Sequence, residues 1–218
     1  MVTNEQILET IEKKKIIVIV RRTYGENLMN LTRALHDGGI RLMECTFDQS
    51  DPECLKKTGD SIRMLTEAFP DMYFGAGTVL NRDQVNAAAK AGGRFIISPN
   101  TNTDVIGYTK SLGLISIPGA MTPSEILAAH DAGADVVKLF PAIDLGLTYV
   151  KNIKGPISHV KLLATAGVNE ENFADFLKVG YIGAGISGRL TDKKVIASGN
   201  FEEFTHRAEA FCKIAEEN

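Results

Sequence analysis

Five times along this chain a stretch of helical periodicity ends in glycine, and a short run rich in Ile, Val, Leu or Phe follows. His36-Asp37-Gly38-Gly39 leads into residues 40–46, Ala91-Gly92-Gly93 into 94–98, Leu112-Gly113 into 114–117, Ala132-Gly133 into 135–139, and Val179-Gly180 into 181–184. A left-handed glycine closes a helix, and the apolar run after it reads as the next buried strand. Apolar runs at 15–20, 72–76 and 160–164 bring the number of predicted strands to eight, with helical patterns between successive ones. Such alternation places the strands parallel and joins them by crossover helices. Eight units in 218 residues predict a (β/α)8 TIM barrel. A short amphipathic helix is expected near the N-terminus and a last helix over 201–217, with the whole chain, 1–218, as one domain. The alternative is an open doubly wound sheet, but no Gly-x-Gly-x-x-Gly follows the first strand, where a dinucleotide fold needs it.

Charge and cysteine content narrow the function. With 24 basic and 27 acidic residues and no basic run beyond Lys13-Lys14-Lys15 and Arg21-Arg22, the chain carries no nucleic-acid footprint. Three cysteines in no Cys-x-x-Cys pair argue against a disulfide framework and for a reducing cytoplasm. There is no apolar stretch of membrane-spanning length and no export signal at the N-terminus, so a soluble cytoplasmic protein without a membrane partner is expected.

A barrel of this kind carries its function at the C-terminal ends of the strands. There the sixth strand holds Lys138 in an otherwise apolar run, Val136-Val137-Lys138-Leu139-Phe140. Desolvation lowers a lysine pKa, as an amine requires if it is to attack a ketone and form a Schiff base near neutral pH. The second strand holds Glu44 on the same face as Leu42 and Thr46. Strands two and six lie opposite in an eight-stranded barrel, so the two side chains are expected to face each other across the mouth. The residues by themselves allow a structural ion pair or a Schiff-base lysine beside a general acid and base. Glycine-rich ends of strands seven and eight, around Gly167 and Ser187-Gly188, suggest a backbone cradle for phosphate. Arg21 ends the first strand as a rim cation or a clamp for a substrate carboxylate. Thr122-Pro123-Ser124-Glu125 reads as a capping box, and four scattered histidines offer no metal-ligand spacing.

Read in order, the strand ends resemble the class I 2-keto-3-deoxy-6-phosphogluconate (KDPG) and 4-hydroxy-2-oxoglutarate (KHG) aldolase family. The resemblance runs from Ile16 to about Leu190 and is carried by Val20-Arg21, Glu44-Cys45-Thr46-Phe47, Gly75-Ala76-Gly77-Thr78-Val79-Leu80, Ile97-Ser98-Pro99, Pro118-Gly119 and Lys138-Leu139-Phe140-Pro141. It implies a carbon–carbon lyase in which Lys138 is the Schiff-base lysine, Glu44 the proton shuttle, and Thr78, Pro99 and Thr165 line the pyruvyl unit. By the same resemblance Arg21 lies near the substrate, the enzyme is a homotrimer, and no metal or cofactor is needed beyond the covalent Schiff base. The implied reaction cleaves a 2-keto-4-hydroxy acid to pyruvate and an aldehyde. KDPG, giving glyceraldehyde 3-phosphate, is the foremost substrate and 4-hydroxy-2-oxoglutarate, giving glyoxylate, the second. The alternatives are a pyruvate aldolase for an unphosphorylated keto acid and a barrel that binds sugar phosphates without chemistry.

The chain departs from the family pattern in three places. It reads Ala164-Thr165-Ala166-Gly167 where many members have Pro-Thr-Gly-Gly, and Ser187-Gly188 where Gly-Ser is usual, followed by Arg189. Asp48 occupies a position that some members fill with arginine. The reversed order either displaces the hydroxyl that would bind phosphate or leaves Arg189 to compensate as a cation, and an acid such as Asp48 repels an anionic substrate if it points inward. The lysine and glutamate chemistry is untouched by these changes; they bear on the phosphate end.

Overall fold

Helices and strands alternate through the computed structural model of the protein, which describes residues 2–218. The order is α1 Asn4–Lys14, β1 Ile16–Val20, α2 Gly25–Asp37, β2 Leu42–Thr46, α3 Cys54–Ala68, β3 Tyr73–Gly77, α4 Arg82–Lys90, β4 Phe95–Ile97, α5 Thr103–Ser111, β5 Ile115–Ile117 and β6 Gly119–Ala120. It continues with α6 Pro123–Asp131, β7 Val137–Leu139, α7 Ala142–Lys154, β8 Leu162–Thr165, α8 Phe173–Lys178, β9 Gly183–Ile186, α9 Lys193–Ser198 and α10 Glu202–Glu217. The glycines closing the five repeats, Gly39, Gly92, Gly113, Gly133 and Gly180, all have positive φ between 72° and 107°. Local side chains set several helix starts. Thr3 with Gln6 and Thr122 with Glu125 form capping boxes, and Asn81, Asn102 and Asp192 cap α4, α5 and α9.

All strands are parallel, in the order β5-β4-β3-β2-β1-β9-β8-β7-β6. The first and last in that row are consecutive in the chain and separated only by Pro118. Proline has no N–H to give to a ladder, so the fifth barrel strand is interrupted into β5 and β6. Lys138 N donates to Pro118 O at 2.8 Å and Asp135 N to Ser116 O at 3.0 Å, which carries the pairing across the break and closes the ring. The expected eight-stranded barrel is therefore present, with its fifth strand written as two.

Strand residues alternate between two compartments. Val18, Val20, Met43, Cys45, Ala76 and Ile96 face the helices and form the larger apolar cluster. Ile17, Leu42, Phe95, Ile97, Ile115, Ile117, Val136 and Leu163 face the lumen. Ile7 and Ile11 of α1 join this second cluster with no exposed surface, so α1 plugs the N-terminal end of the barrel. Burying two isoleucines is worth roughly 2–3 kcal/mol each. With the lower lumen filled by branched side chains, polar groups on the same face have room only toward the C-terminal mouth. Among the described residues no helix is long and apolar enough to cross a membrane.

Candidate active site

Lumen alternation carries Glu44 and Lys138 inward, one step above Leu42 and Val136. Both are buried, with 2 % and 6 % of their surface exposed. Among the described residues no ion pair within 4.0 Å joins them, yet each acts on the other through space. Burial raises the Glu44 carboxyl to about 7, against the opposing pull of Lys138 and Arg21. Burial likewise lowers Lys138 from the usual lysine value, a shift that Glu44 resists and Arg21 assists. Lys138 Nζ lies 4.9 Å from the centre of the Phe140 ring. Each charged form is penalised by its surroundings, so burial eases Lys138 toward its neutral amine while the Glu44 carboxyl gains and loses its proton near neutrality.

Space for the carboxyl is made by backbone. A Cβ on Gly77 would come 2.3 Å from Glu44 Oε1 and 2.5 Å from Cδ, so only glycine leaves room for Glu44 at this point of β3. Glu44 Oε2 and Thr165 Oγ1 are buried polar atoms without a hydrogen-bond partner among the described residues. Such atoms are rare in native interiors, and two on one lumen face mark groups held ready for something else.

Two cavities open at the mouth, and Arg21 stands in the wall of both. The larger, about 560 Å³, is lined by Arg21, Arg22, Thr46, Phe47, Asp48, Gln49, Ser50, Thr78 and Lys193. The smaller and more enclosed, about 130 Å³, is lined by Ile19, Arg21, Phe140, Thr165, Ala166, Gly167, Val168, Gly185, Ser187 and Gly188. Glu44 and Lys138 lie one step beneath, since Thr46 and Phe140 follow them by two residues on the same face. Arg21 Nη1 donates to Ser187 Oγ at 3.0 Å and, among the described residues, has no carboxylate within ion-pair distance. Three non-glycine residues with left-handed backbone lie in these walls: Arg22 (φ 49°), Thr78 (φ 56°) and Ala166 (φ 79°). Strain of this kind concentrates at functional sites.

The structure thus brings Arg21, Thr165, Gly167, Ser187 and Gly188 together in the smaller cavity and Thr78 with Arg21 in the larger. Pro99 is in neither wall; its carbonyl packs where a Cβ on Gly119 would lie, 2.4 Å away. Asp48 lines the larger cavity, but Arg22 Nε meets it at 2.7 Å and Ser50 donates to it twice, so the expected repulsion of an anion is offset. These bonds hold Asp48 down at about 2. Arg189 does not compensate as a cation: it pairs with Glu170 at 3.0 Å and lies outside both cavities. Ala166 keeps the left-handed turn that glycine would make freely, so its methyl enters the cavity wall without altering the backbone path. Sequence reasoning missed Lys193, Gln49 and Ser50 as wall residues. No local signal marks them, because they reach the mouth from loops and helix starts beyond the strand ends. Among the described residues no cluster of three or more His, Cys, Asp or Glu side chains is arranged to hold a metal.

Comparison with known proteins places this geometry in context. Residues 7–207 match the family model described as KDPG and KHG aldolase. A 2-dehydro-3-deoxy-phosphogluconate aldolase of Treponema pallidum is 32% identical over 95% of this chain and 97% of its own length. A 2-dehydro-3-deoxy-6-phosphogalactonate aldolase of Escherichia coli (strain K12) is 31% identical over 94% of this chain and 96% of its own. Among solved structures, a KDPG aldolase from Legionella pneumophila, with pyruvate captured at low pH as a covalent carbinolamine intermediate, superposes with a TM-score of 0.83. It is 27% identical, covering 93% of this chain and 96% of that one.

Proposed function

The chain belongs to the KDPG and KHG aldolase family, and from that premise we propose that it cleaves a 2-keto-4-hydroxy acid through a Schiff base on Lys138, with Glu44 moving the protons. The observation that carries this reading is the pair itself: a buried lysine with a lowered pKa and no direct ion pair, facing a carboxyl that titrates at about 7. A carbinolamine in the Legionella relative supports the same first step.

Neutral Lys138 Nζ adds to the C2 ketone. Protonated Glu44 gives its proton to the departing hydroxyl, water leaves, and the iminium forms. Glu44, now a carboxylate, takes the C4 hydroxyl proton. The C3–C4 bond breaks, its electron pair flows into the iminium to give an enamine, and the aldehyde departs. Glu44 returns the proton to C3, water hydrolyses the resulting iminium to pyruvate and free Lys138, and the proton released goes back to the Glu44 carboxylate. The iminium is the electron sink, so no step calls for a metal or cofactor, and EDTA is expected to leave turnover unchanged.

The smaller cavity, with Arg21, Ser187 and the backbone at Gly167 and Gly188, suits a phosphate at the far end of the substrate, which favours KDPG. Relatives named for the gluconate and the galactonate compounds, which are epimers at C4, keep both configurations in the panel. A second reading, an unphosphorylated substrate such as 4-hydroxy-2-oxoglutarate, is favoured by the mutually neutralised Arg22–Asp48 pair in the larger cavity. We further read residues 1–218 as one catalytic domain that assembles as a homotrimer. Exposed Met121, Leu127 and Ile143 around α6 and α7 supply apolar surface for it. Free Cys45, Cys54 and Cys212 support a reducing, cytoplasmic setting.

Borohydride reduction in the presence of pyruvate is expected to add one pyruvyl unit at Lys138, located by peptide mass spectrometry. Absence of that adduct ends the Schiff-base assignment to Lys138. Turnover of KDPG, its C4 epimer and 4-hydroxy-2-oxoglutarate then ranks the substrates, and faster cleavage of the unphosphorylated acid defeats the phosphate reading.

A further inference from the structure

Lys193, at the start of α9, reaches back over the seam between β9 and β1. Its Nζ donates to the carbonyl oxygens of Arg21 and Arg22, the latter at 2.9 Å, and to Thr23 Oγ1 at 2.6 Å. An ammonium has three donors, and all three are committed to consecutive residues of one loop. No carboxylate lies within ion-pair distance of Lys193 among the described residues.

That loop needs holding. Arg22 keeps a left-handed backbone (φ 49°), which for a residue with a Cβ costs on the order of 1–2 kcal/mol and persists only where surroundings over-determine it. Lys193 secures its carbonyl, and Asp48 secures its guanidinium through contacts of 2.7 and 3.1 Å. The neighbouring residue is Arg21, whose guanidinium stands in both cavity walls and acts through space on Glu44 and Lys138. Arg21 is gripped at two points by the segment that follows β9: its side chain by Ser187 at 3.0 Å and its carbonyl by Lys193.

We propose that Lys193 is a positioning residue for substrate binding. By tying down the Arg21 and Arg22 carbonyls it aims the Arg21 guanidinium at the anionic end of the keto acid. With its donors already used, Lys193 acts through Arg21 and not as a second anion clamp. The inference rests on the reading of Arg21 as that clamp.

A double-mutant cycle tests it, with steady-state kinetics on the substrate turned over fastest in the panel above. Lys193→Met is expected to raise KM by about tenfold with kcat changed less than about twofold, because misaiming a binding group weakens binding more than it alters the chemistry on Lys138. Arg21→Met is expected to raise KM at least as much, and adding Lys193→Met to it to do little more, the non-additivity of two groups acting as one. An unchanged KM in Lys193→Met, or effects that multiply in the double variant, overturns the proposal and leaves the role of Arg21 standing. An unchanged KM in Arg21→Met overturns both. Should Lys193→Met fail to fold by circular dichroism, Thr23→Val, which removes one acceptor of Lys193 and the hydroxyl's own bond to the Arg21 carbonyl at 3.3 Å, replaces it in the cycle with the same pattern expected at smaller size.

Discussion

Glu44 gives up its proton at about 7 in the folded protein, against an ordinary value of 4.5 that describes the unfolded chain. Between those values the folded state binds more protons than the unfolded one, so this residue lowers stability as pH rises from about 4.5 through about 7. Over that window the wild-type protein is expected to lose on the order of 1–3 kcal/mol relative to Glu44→Gln, checked by urea unfolding at pH 5 and pH 8. The same variant should cut kcat by about a hundredfold and remove the ionisation near pH 7 from the kcat/KM profile. A Glu44→Gln protein that unfolds yet shows no kinetic defect in its folded fraction assigns the residue to structure alone. For Lys138, substitution by alanine is expected to abolish both turnover and pyruvate trapping while leaving the far-ultraviolet spectrum intact. The buried amine contributes no ion pair that the fold would miss.

Secondary-structure elements translate these residues into geometry. On β3, Gly77→Ala places a methyl where the Glu44 carboxyl now lies, 2.3 Å from Oε1. The obstacle is the end of a flexible side chain, so the fold tolerates the change and the carboxyl moves. Activity is expected to drop by about tenfold to a hundredfold with little change in melting temperature, a split that a structural role for Gly77 would not produce. Helix α1 is the opposite case, since its buried face plugs the closed end of the lumen and it contributes no residue to either cavity at the mouth. Ile11→Ala, which empties part of the plug, should cost about 2–4 kcal/mol in denaturant unfolding and leave kcat of the folded enzyme within about twofold. The left-handed residues at the ends of β1, β3 and β8 show how the elements finish: each chain turns sharply at the mouth, and a side chain, not a glycine, is held in the cavity wall.

At the scale of the whole molecule, closure of the ring is what makes a site. The proposed homotrimer is checked by sedimentation velocity, where a species near three times the 23.7 kDa chain mass is expected. Much of this architecture is legible in the order of residues. Helix periodicity followed by glycine and an apolar run encodes the alternation of elements, and period two along a strand decides that Glu44 shares a face with Leu42 and Thr46 while Cys45 turns to the helices. Isolated charges in such runs, Lys138 and Glu44, stand out because burial is costly for them. Both signals are local, read over a few residues, so the sequence by itself determined the barrel and the inward lysine and glutamate, while the chemistry proposed for that pair rests on the family the strand ends resemble. Other features depend on which distant residues end up adjacent. Proline 118 splits a strand only in the sense that a ladder is there to be interrupted, and Asp48 is harmless to an anion only because Arg22, 26 residues away, reaches it. Lys193 holds the Arg21 carbonyl across 172 residues, at a seam created when the last strand meets the first. Arg189, placed by its position to serve the mouth, is drawn off by Glu170. Tertiary structure alone decided these pairings, because hydrogen bonds and ion pairs follow distance in space and the reach of a side chain, and neither is encoded in separation along the chain.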